Sequence, residues 1–525
     1  MKDLRPFVLL VPMAIFIAAA LVSLIDLDAF FAFAKALNDW ILAHFSTAIT
    51  WAVFGFVLTC FAVLISPLGK VRIGGPDAKP LLSVWNWFSI TLCTTIAIGI
   101  LFWAMAEPMS HLYAPGGRGI EPGSAEAQSF SLVSLFMHWA ISPYAIYTVA
   151  GLTFALSYHN LGKPYSVSGP FGVLLGRDLP KAVSSVLDAA ILLALVMGMA
   201  ASLGAGMLML SGGVADMTGL KSGPVLLAVM AGLIAVVVLI SSVTGLMRGI
   251  RILSDINIKF FFAFVAFIFI FGPTWQIISQ GAAAFVIYIA EFIPRSLYLG
   301  EAAADREWAQ GWTVFYFANW LAWAPVTAMF LGRIARGYTV RAFVLVNLIL
   351  PALFSIIWMS VFGVFAMHTD QVTGGALKAG LDAARPEGVM FEALAYLPMS
   401  GAVIPILLIL AFISYVTAAD SNTEAISQIC RKHDDQETVQ DQPITGARLK
   451  MIWVVLLALT AWIMVAFSGI DGVRMLSNVG GLPALFVVIG LNLALIRMMF
   501  RAKAVAAADH GNPLLAKPLS ESGRT

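Results

Sequence analysis

The feature that most constrains this chain is a succession of about twelve apolar runs, each near the 20 residues that a helix needs to cross a bilayer. Hydrophobic residues make up 60% of the 525 residues and charged residues only 11%, whereas a soluble domain is roughly a quarter charged. The sequence therefore predicts an all-α polytopic membrane protein with about 12 transmembrane helices. The predicted spans lie near residues 7–26, 46–67, 86–106, 130–158, 182–212, 223–246, 257–280, 310–333, 339–366, 399–429, 447–468 and 473–500.

Basic residues alternate in density from loop to loop, which predicts the orientation of the chain. If the N-terminus is placed inside, the loops on that side carry most of the Lys and Arg, such as Arg333, Arg336 and Arg341 after span eight. We therefore expect a multi-pass protein of a bacterial-type cytoplasmic (inner) membrane with both termini cytoplasmic. The net charge is only +2, no basic tract or nucleic-acid motif is visible, and nucleic acid is not an expected partner.

Two interrupted spans suggest an internal repeat. Span three contains Gly99 among Thr and Ala, and span eight contains Asn319 and Pro325. The two spans are five apart, which fits two inverted five-helix repeats formed by helices 3–7 and 8–12. Two kinked structural helices are the alternative. The predicted units are two N-terminal helices in 1–85, the first repeat in 86–280, an interfacial amphipathic helix and loop in 281–309, the second repeat in 310–500 and a short cytoplasmic tail in 501–525.

Aromatic residues are concentrated in the segment WTVFYFANWLAWAP of span eight. Trp320 and Trp323 are three residues apart and share a helix face, as do Trp139 and Tyr147, which lie two turns apart in span four. Trp usually lies at the edge of the bilayer, and ring faces within a span can bind cations. Core packing and interfacial belts are the alternative, which we favour for Trp312 and Tyr316.

Several motifs occur in an order that resembles the betaine/choline/carnitine transporter (BCCT) family. They are SPLGKVRIGG with the following WNWF, FWAMAEP after span three, HWAISPYAIY in span four, AASLG in span five, WTVFYFANWLAWAP and GRIARGYTVRAF around span eight, and VTAADS in span ten. The similarity covers roughly residues 40 to 500. It implies a leucine-transporter-type core in helices three to twelve. Members are often homotrimers and move quaternary ammonium or sulfonium solutes by sodium symport, proton symport or exchange.

The resemblance also implies a set of solute-binding residues. Family members hold the cationic head group between aromatic rings of helices four and eight, and the amides of an unwound helix three would bind an anionic end. Asn319 departs from the pattern, because the family usually has Trp there, and it would make one side of the site polar. The predicted substrate-binding residues are Trp139, Tyr144, Tyr147, Phe317, Asn319, Trp320, Trp323, Ala97 and Gly99.

The sequence indicates the coupling ion less clearly than it indicates the solute-binding residues. A sodium site is expected at Thr417, Ser414 and Thr94, but Ala418 and Met199 stand where sodium-coupled members tend to have hydroxyls. Sodium as coupling ion, with no other cofactor, and a sodium-independent mechanism therefore both remain open. Three charged residues are candidates for gating or coupling, with structural alternatives: Asp420 as a hydrogen-bond acceptor, Glu107 as a helix cap and Lys259 as a side chain that reaches the cytoplasmic surface.

The preferred hypothesis is a secondary active transporter that imports a glycine betaine, choline, carnitine or dimethylsulfoniopropionate type of solute, by ion-coupled symport and cation–π recognition. The alternative is a proton-coupled or sodium-independent exchanger of a less methylated amine or an amino-acid-like zwitterion. An enzyme would need a nucleophile–base pair or a metal cluster within the membrane, and the sequence suggests neither. The expected partners are a small zwitterionic or cationic solute, the lipid bilayer and, by the resemblance, a homotrimer.

Overall fold

The computed structural model describes residues 4–95, 99–244, 247–382, 386–431 and 443–507. Helices make up 84% of the described residues, which contain two isolated β-bridges but no strand. Helices suit an apolar chain in a bilayer because they satisfy every interior backbone N–H and C=O within one segment. The all-α polytopic architecture predicted from the sequence is confirmed.

The first part of the chain consists of long helices joined by short turns. Asp26 separates the first two, and its carboxylate accepts a hydrogen bond from the Ala29 backbone N–H at 2.9 Å, which caps the second helix. The helices up to residue 271 are α1 Pro6–Ile25, α2 Leu27–Ile65, α3 Val84–Thr95, α4 Gly99–Tyr113, α5 Ala125–Trp139, α6 Ile141–Ala155, α7 Gly169–Leu175, α8 Lys181–Thr218, α9 Pro224–Thr244 and α10 Met247–Phe271.

The second part has the same character, with shorter helices between the long ones. These helices are α11 Thr274–Ala290, α12 Phe292–Leu297, α13 Ala303–Ala309, α14 Phe315–Ile334, α15 Val340–Val344, α16 Leu350–Val372, α17 Ala376–Asp382, α18 Val389–Ala395, α19 Ser400–Ile429, α20 Pro443–Phe500 and α21 Ala502–Ala507. A 3₁₀ turn spans Pro67–Lys70, and π-helical turns span Leu156–Asn160, Gln310–Val314 and Leu345–Ile349.

Eight helical segments of the described residues are long and apolar enough to cross a membrane, and a bent pair adds a ninth. The predicted count of twelve and the inverted repeats stay predictions. Predicted span three falls on α3 and α4, and residues 96–98 between them lie outside the described residues. The last two predicted spans run together as α20, which breaks at Gly469, where φ is 54° and ψ is −133°.

The bent pair corrects one predicted boundary. The span expected near 257–280 ends at Phe271, and α11 begins at Thr274 after a bend of 107°. Pro273 lies between the two helices and has no N–H to continue the helical hydrogen bonds. The helix expected to begin near residue 281 therefore begins seven residues earlier, at Thr274, because the proline restarts it.

The centre of the molecule is formed where α14 packs against α6, α8 and α20. Two glycines allow close approach there. A Cβ on Gly481 of α20 would lie 2.6 Å from the Ala318 side chain of α14, and one on Gly206 of α8 would lie 2.2 Å from the Tyr415 ring of α19. Close helix contacts at small residues are the usual way in which membrane helices associate. These contacts hold α20 against α14 and α8 against α19.

Candidate functional site

A cavity that is partly open to its surroundings lies between α4, α5, α6, α8, α14 and α20. Half of the residues that line it are aromatic, and its polar side chains are few, which is the usual character of a small-molecule site. The lining residues are Gly99, Trp103, Trp139, Tyr147, Ala201, Ser202, Ala205, Phe315, Asn319, Trp320, Trp323 and Val473.

Trp320 lies at the centre of the aromatic contacts. Its ring centroid is 5.1 Å from that of Tyr147 and 5.7 Å from that of Trp139, at interplanar angles of 63° and 81°. These edge-to-face arrangements are favourable for aromatic pairs. The Tyr144 ring packs 5.7 Å from Trp320 but does not line the cavity, and its hydroxyl lies 3.1 Å from that of Ser355. Trp320, Trp139 and Tyr147 therefore form one corner of the cavity, supported by Tyr144.

A helix break places Trp139 at this corner. α5 ends at Trp139 and α6 begins at Ile141, because Ala140 has φ −111° and ψ −114°. Pro143 has no N–H to offer the Trp139 carbonyl, so the helical ladder is interrupted here. The break exposes the His138 carbonyl, which accepts a hydrogen bond from the Trp320 indole N–H at 3.1 Å. The sequence analysis treated residues 130–158 as one unbroken span and missed this break, although Pro143 was its signal.

The structure brings together six of the nine predicted substrate-binding residues. Trp139, Tyr147, Asn319, Trp320, Trp323 and Gly99 all line the cavity. Phe317, like Tyr144, is fully buried but does not line it, and Ala97 lies outside the described residues.

Two further aromatic residues were missed by the sequence analysis. Trp103 and Phe315 line the cavity with centroids 6.0 Å apart. Trp103 lies within the quoted motif FWAMAEP, four residues after Gly99 and so on the same helix face, which was the available signal. Asn319 is the polar member of the lining, and its Oδ1 accepts a hydrogen bond from the Ser477 hydroxyl at 3.1 Å.

Three of the predicted coupling residues, Thr417, Ser414 and Lys259, do not line the cavity. The Thr417 hydroxyl donates to the Ile413 carbonyl of its own helix at 2.8 Å, Ser414 is buried on α19, and the side chain of Thr94 lies outside the described residues. Lys259 is exposed on α10. The described residues therefore leave the predicted sodium site incomplete.

Asp420 forms a buried ion pair with Lys450. The two charged atoms are 2.7 Å apart, and both side chains are less than a tenth exposed. The pair joins α19 to α20, and Lys450 also lies 3.7 Å from Glu424. Asp420 therefore has a structural partner, Lys450, that the sequence analysis did not identify. No sequence pattern predicts which residues of α19 and α20 face each other.

A second cavity adjoins the first and shares Ser202 and Trp323 with it. Met199 and Ala418, the two residues that replace family hydroxyls, both line this second cavity. The buried Trp323 indole N–H has no hydrogen-bond partner among the described residues. Trp323 thus lies between the two cavities, and its indole N–H is available as a hydrogen-bond donor.

Glu107 is the centre of a buried polar cluster beside the first cavity. Its side chain is 0% exposed and accepts four hydrogen bonds. His138 Nδ1 lies 2.6 Å and His111 Nε2 lies 3.2 Å from Oε1, whereas the Trp139 indole donates to Oε2 at 2.8 Å and the Tyr316 hydroxyl at 2.5 Å. Glu107 thus binds to a residue that lines the cavity, which the sequence analysis did not predict.

One potential metal-ligand atom from each of Glu107, His111 and His138 lies within 4.8 Å of the other two, so the three could together bind a metal ion. A hydrogen bond from Trp308 argues against that use, because its indole Nε1 can only donate and lies 3.2 Å from His111 Nδ1. A neutral histidine bound to a metal through Nε2 would carry its proton on Nδ1, facing another donor. The hydrogen bonds therefore account for this cluster.

A loop and a short helix cover the cluster on its other side. The Arg118 guanidinium lies 5.0 Å from the Trp308 ring, 4.2 Å from the Tyr298 ring and 3.8 Å from Asp305. Burial lowers the pKa of Arg118 below its usual value. Tyr298 donates to Asp305 at 3.0 Å, and burial together with this bond raises the pKa of Tyr298.

Comparison with known proteins places this chain in a family. The probable glycine betaine transporter of Desulfitobacterium hafniense is 30% identical over 383 residues, 73% of this chain and 76% of the relative. Glycine betaine transporter 1 of Vibrio parahaemolyticus is 33% identical over 79% of each chain. The ectoine/hydroxyectoine transporter of Virgibacillus pantothenticus is 28% identical over 91% of this chain and 93% of the relative.

The relatives are named as transporters, so the function is not enzymatic, and the expected BCCT resemblance is confirmed. The sequence model of that family covers nearly the whole length of the protein. Because residues 7–504 match the betaine/carnitine/choline family transporter, the chain is a multi-pass membrane protein that belongs to the BCCT family of transporters.

Proposed function

We propose that the protein is a secondary active transporter that imports a quaternary ammonium or sulfonium solute by alternating access. The observation that carries the proposal is the cavity in which the ring centroids of Trp139 and Tyr147 each lie within 6 Å of that of Trp320. Each ring under a cation contributes about 0.5–2 kcal/mol, more where water is excluded. The solute class is that of glycine betaine, choline, carnitine or dimethylsulfoniopropionate, and two relatives are named for glycine betaine.

A second candidate function is supported by Asn319. Its amide lines the cavity at a position where a fifth indole would increase the aromatic surface, and an amide can hydrogen-bond a ligand N–H or carboxylate. One relative is named for ectoine and hydroxyectoine, which have no quaternary ammonium group. The alternative is therefore a proton-coupled or sodium-independent exchanger of a less methylated amine or an amino-acid-like zwitterion.

Uptake by proteoliposomes tests the assignment of the cavity. Radiolabelled glycine betaine and choline should accumulate with the wild type, and Trp320→Ala or Trp323→Ala should abolish most of this uptake. Trp275→Ala is the matched control, because Trp275 is 74% exposed and lines neither cavity. Undiminished uptake by Trp320→Ala and Trp323→Ala would show that the cavity is not the solute-binding site.

The coupling ion, the orientation and the assembly are further parts of the proposal. We propose ion-coupled symport across the cytoplasmic membrane, with both termini in the cytoplasm and a homotrimeric assembly. Sodium is the first candidate ion, through Thr417, Ser414 and Thr94. Uptake into liposomes without sodium on either side, driven by a pH step or by internal solute, would reject sodium coupling. Light scattering coupled to size exclusion measures the oligomeric state.

A further inference from the structure

The carboxylate of Glu107 has a different set of neighbours at each oxygen. Oε1 accepts from the two histidines, and Oε2 accepts from the Trp139 indole and the Tyr316 phenol. All five side chains are at most 3% exposed. Four donors satisfy an ionised carboxylate, whereas a protonated one would bring its own O–H among groups that already donate. The arrangement therefore fits a buried negative charge.

The surrounding contacts also fix the proton on one histidine. Trp308 donates to His111 Nδ1, so His111 is neutral and carries its proton on Nε2, which donates to Glu107. His138 Nε2 lies 3.0 Å from the Thr313 hydroxyl. With that hydroxyl as the donor, His138 is neutral as well and donates Nδ1–H to Glu107. Each histidine then carries one proton and no charge.

Arg474, a basic residue of α20, already has partners of its own. Arg474 lies 4.7 Å from the centroid of the Trp312 ring and forms an ion pair with Asp471 at 3.0 Å. Glu107 therefore forms no ion pair with this arginine, and four hydrogen bonds from Trp139, Tyr316 and the two histidines hold its carboxylate. Its charge can act on a solute in the neighbouring cavity, where the low dielectric strengthens the interaction.

The Trp139 indole connects this charge to the cavity. Its N–H donates to Oε2, and its ring lines the space that the solute would occupy. A hydrogen bond from the indole N–H to a carboxylate makes the ring face more negative, and the ring face is what attracts a cation. The Trp320 N–H donates to the carbonyl of His138, the residue before Trp139, so the helix break also orients the second indole of this corner.

We infer that Glu107 is a positioning residue that makes the cavity select a positively charged head group over a neutral group of the same shape. It acts through Trp139 and does not line the cavity itself. The inference rests on the proposed function, because it names what selects the solute in that same cavity. It differs from the capping or gating role expected from the sequence.

Two probes of equal shape separate charge from fit. Choline and its neutral carbon isostere 3,3-dimethylbutan-1-ol differ only in the central atom of the head group, and calorimetry on the purified protein gives both affinities. The wild type should bind choline more tightly, and Glu107→Gln should reduce this preference by a factor on the order of ten, with the affinity for the isostere little changed. Equal binding of the two probes by the wild type overturns the inference.

The matched control is Tyr316→Phe, which removes one hydrogen bond from the same cluster but keeps the charge. It should preserve the preference for choline. If Tyr316→Phe and Glu107→Gln lose the preference alike, or if Glu107→Gln keeps it, the charge is not the selecting feature. Trp139→Phe keeps an aromatic ring but removes the N–H, so it should lose part of the preference for choline. This variant replaces Glu107→Gln in the test if Glu107→Gln does not fold. Full retention of the preference by Trp139→Phe would then overturn the inference. A wild type that binds neither choline nor glycine betaine would instead count against the proposed function.

Discussion

At the scale of single residues, Asn319 determines how much aromatic surface the cavity offers. Asn319→Trp should shift the preference towards fully methylated head groups, since one more ring contributes about 0.5–2 kcal/mol to binding of an onium ion. Ser477 keeps a partner after the change, because its hydroxyl also donates to the Val473 carbonyl at 2.8 Å. Calorimetric titration with amines of increasing methylation measures the shift, and Asn319→Ala separates the added ring from the lost amide. An unchanged order of affinities would deny Asn319 a role in selectivity.

The ion pair between Asp420 and Lys450 gives a second prediction at this scale. Removal of one partner leaves an unpaired buried charge, so Asp420→Asn should destabilise the protein by about 3–5 kcal/mol. The exposed pair of Lys378 and Asp382 is the control, because Asp382→Asn should change stability by less than about 1 kcal/mol. Thermal unfolding in detergent compares the two variants. Equal unfolding temperatures would contradict a structural role for the buried pair.

At the scale of helices, Gly469 allows α20 to break in a conformation that side chains rarely adopt. An added Cβ would meet nothing within 4 Å, so Gly469→Ala should destabilise through backbone strain alone, by about 1–3 kcal/mol. Gly232 lies inside α9 with equal free space and no positive φ, so Gly232→Ala should cause no loss. Thermal unfolding of the pair tests the break, and a Gly469→Ala variant as stable as the wild type would contradict it.

Helices and the aromatic site differ in how far the sequence could predict them. Apolar length predicts helices because a bilayer admits few alternatives, and spacing on one face predicted that Trp139 lies beside Tyr147 and Trp320 beside Trp323. That the two pairs meet was implied only by the resemblance to the family. The break at Ala140 and the bend at Pro273 depend on prolines whose effects vary with tertiary context. The contacts of Glu107 join residues that are 4 to 209 positions apart, and no local pattern encodes them.

At the scale of the whole molecule, the positions of loops relative to the membrane follow from the number of spans between them. Asp77, Glu121 and Lys503 are exposed, and the proposed layout places Glu121 outside and the other two inside the cell. In a background without native cysteines, Glu121→Cys should react with an impermeant maleimide in intact cells. Asp77→Cys and Lys503→Cys should react only after permeabilisation.

The pattern of labelling separates two errors in this layout. Reaction of Asp77→Cys and Lys503→Cys in intact cells, without reaction of Glu121→Cys, would mean that the orientation is reversed although the number of spans is right. Different behaviour of Asp77→Cys and Lys503→Cys would instead mean an odd number of spans between them, because each crossing exchanges the sides. α20 is the first place to search for the error in that case, since its break at Gly469 decides whether its 58 residues cross once or twice.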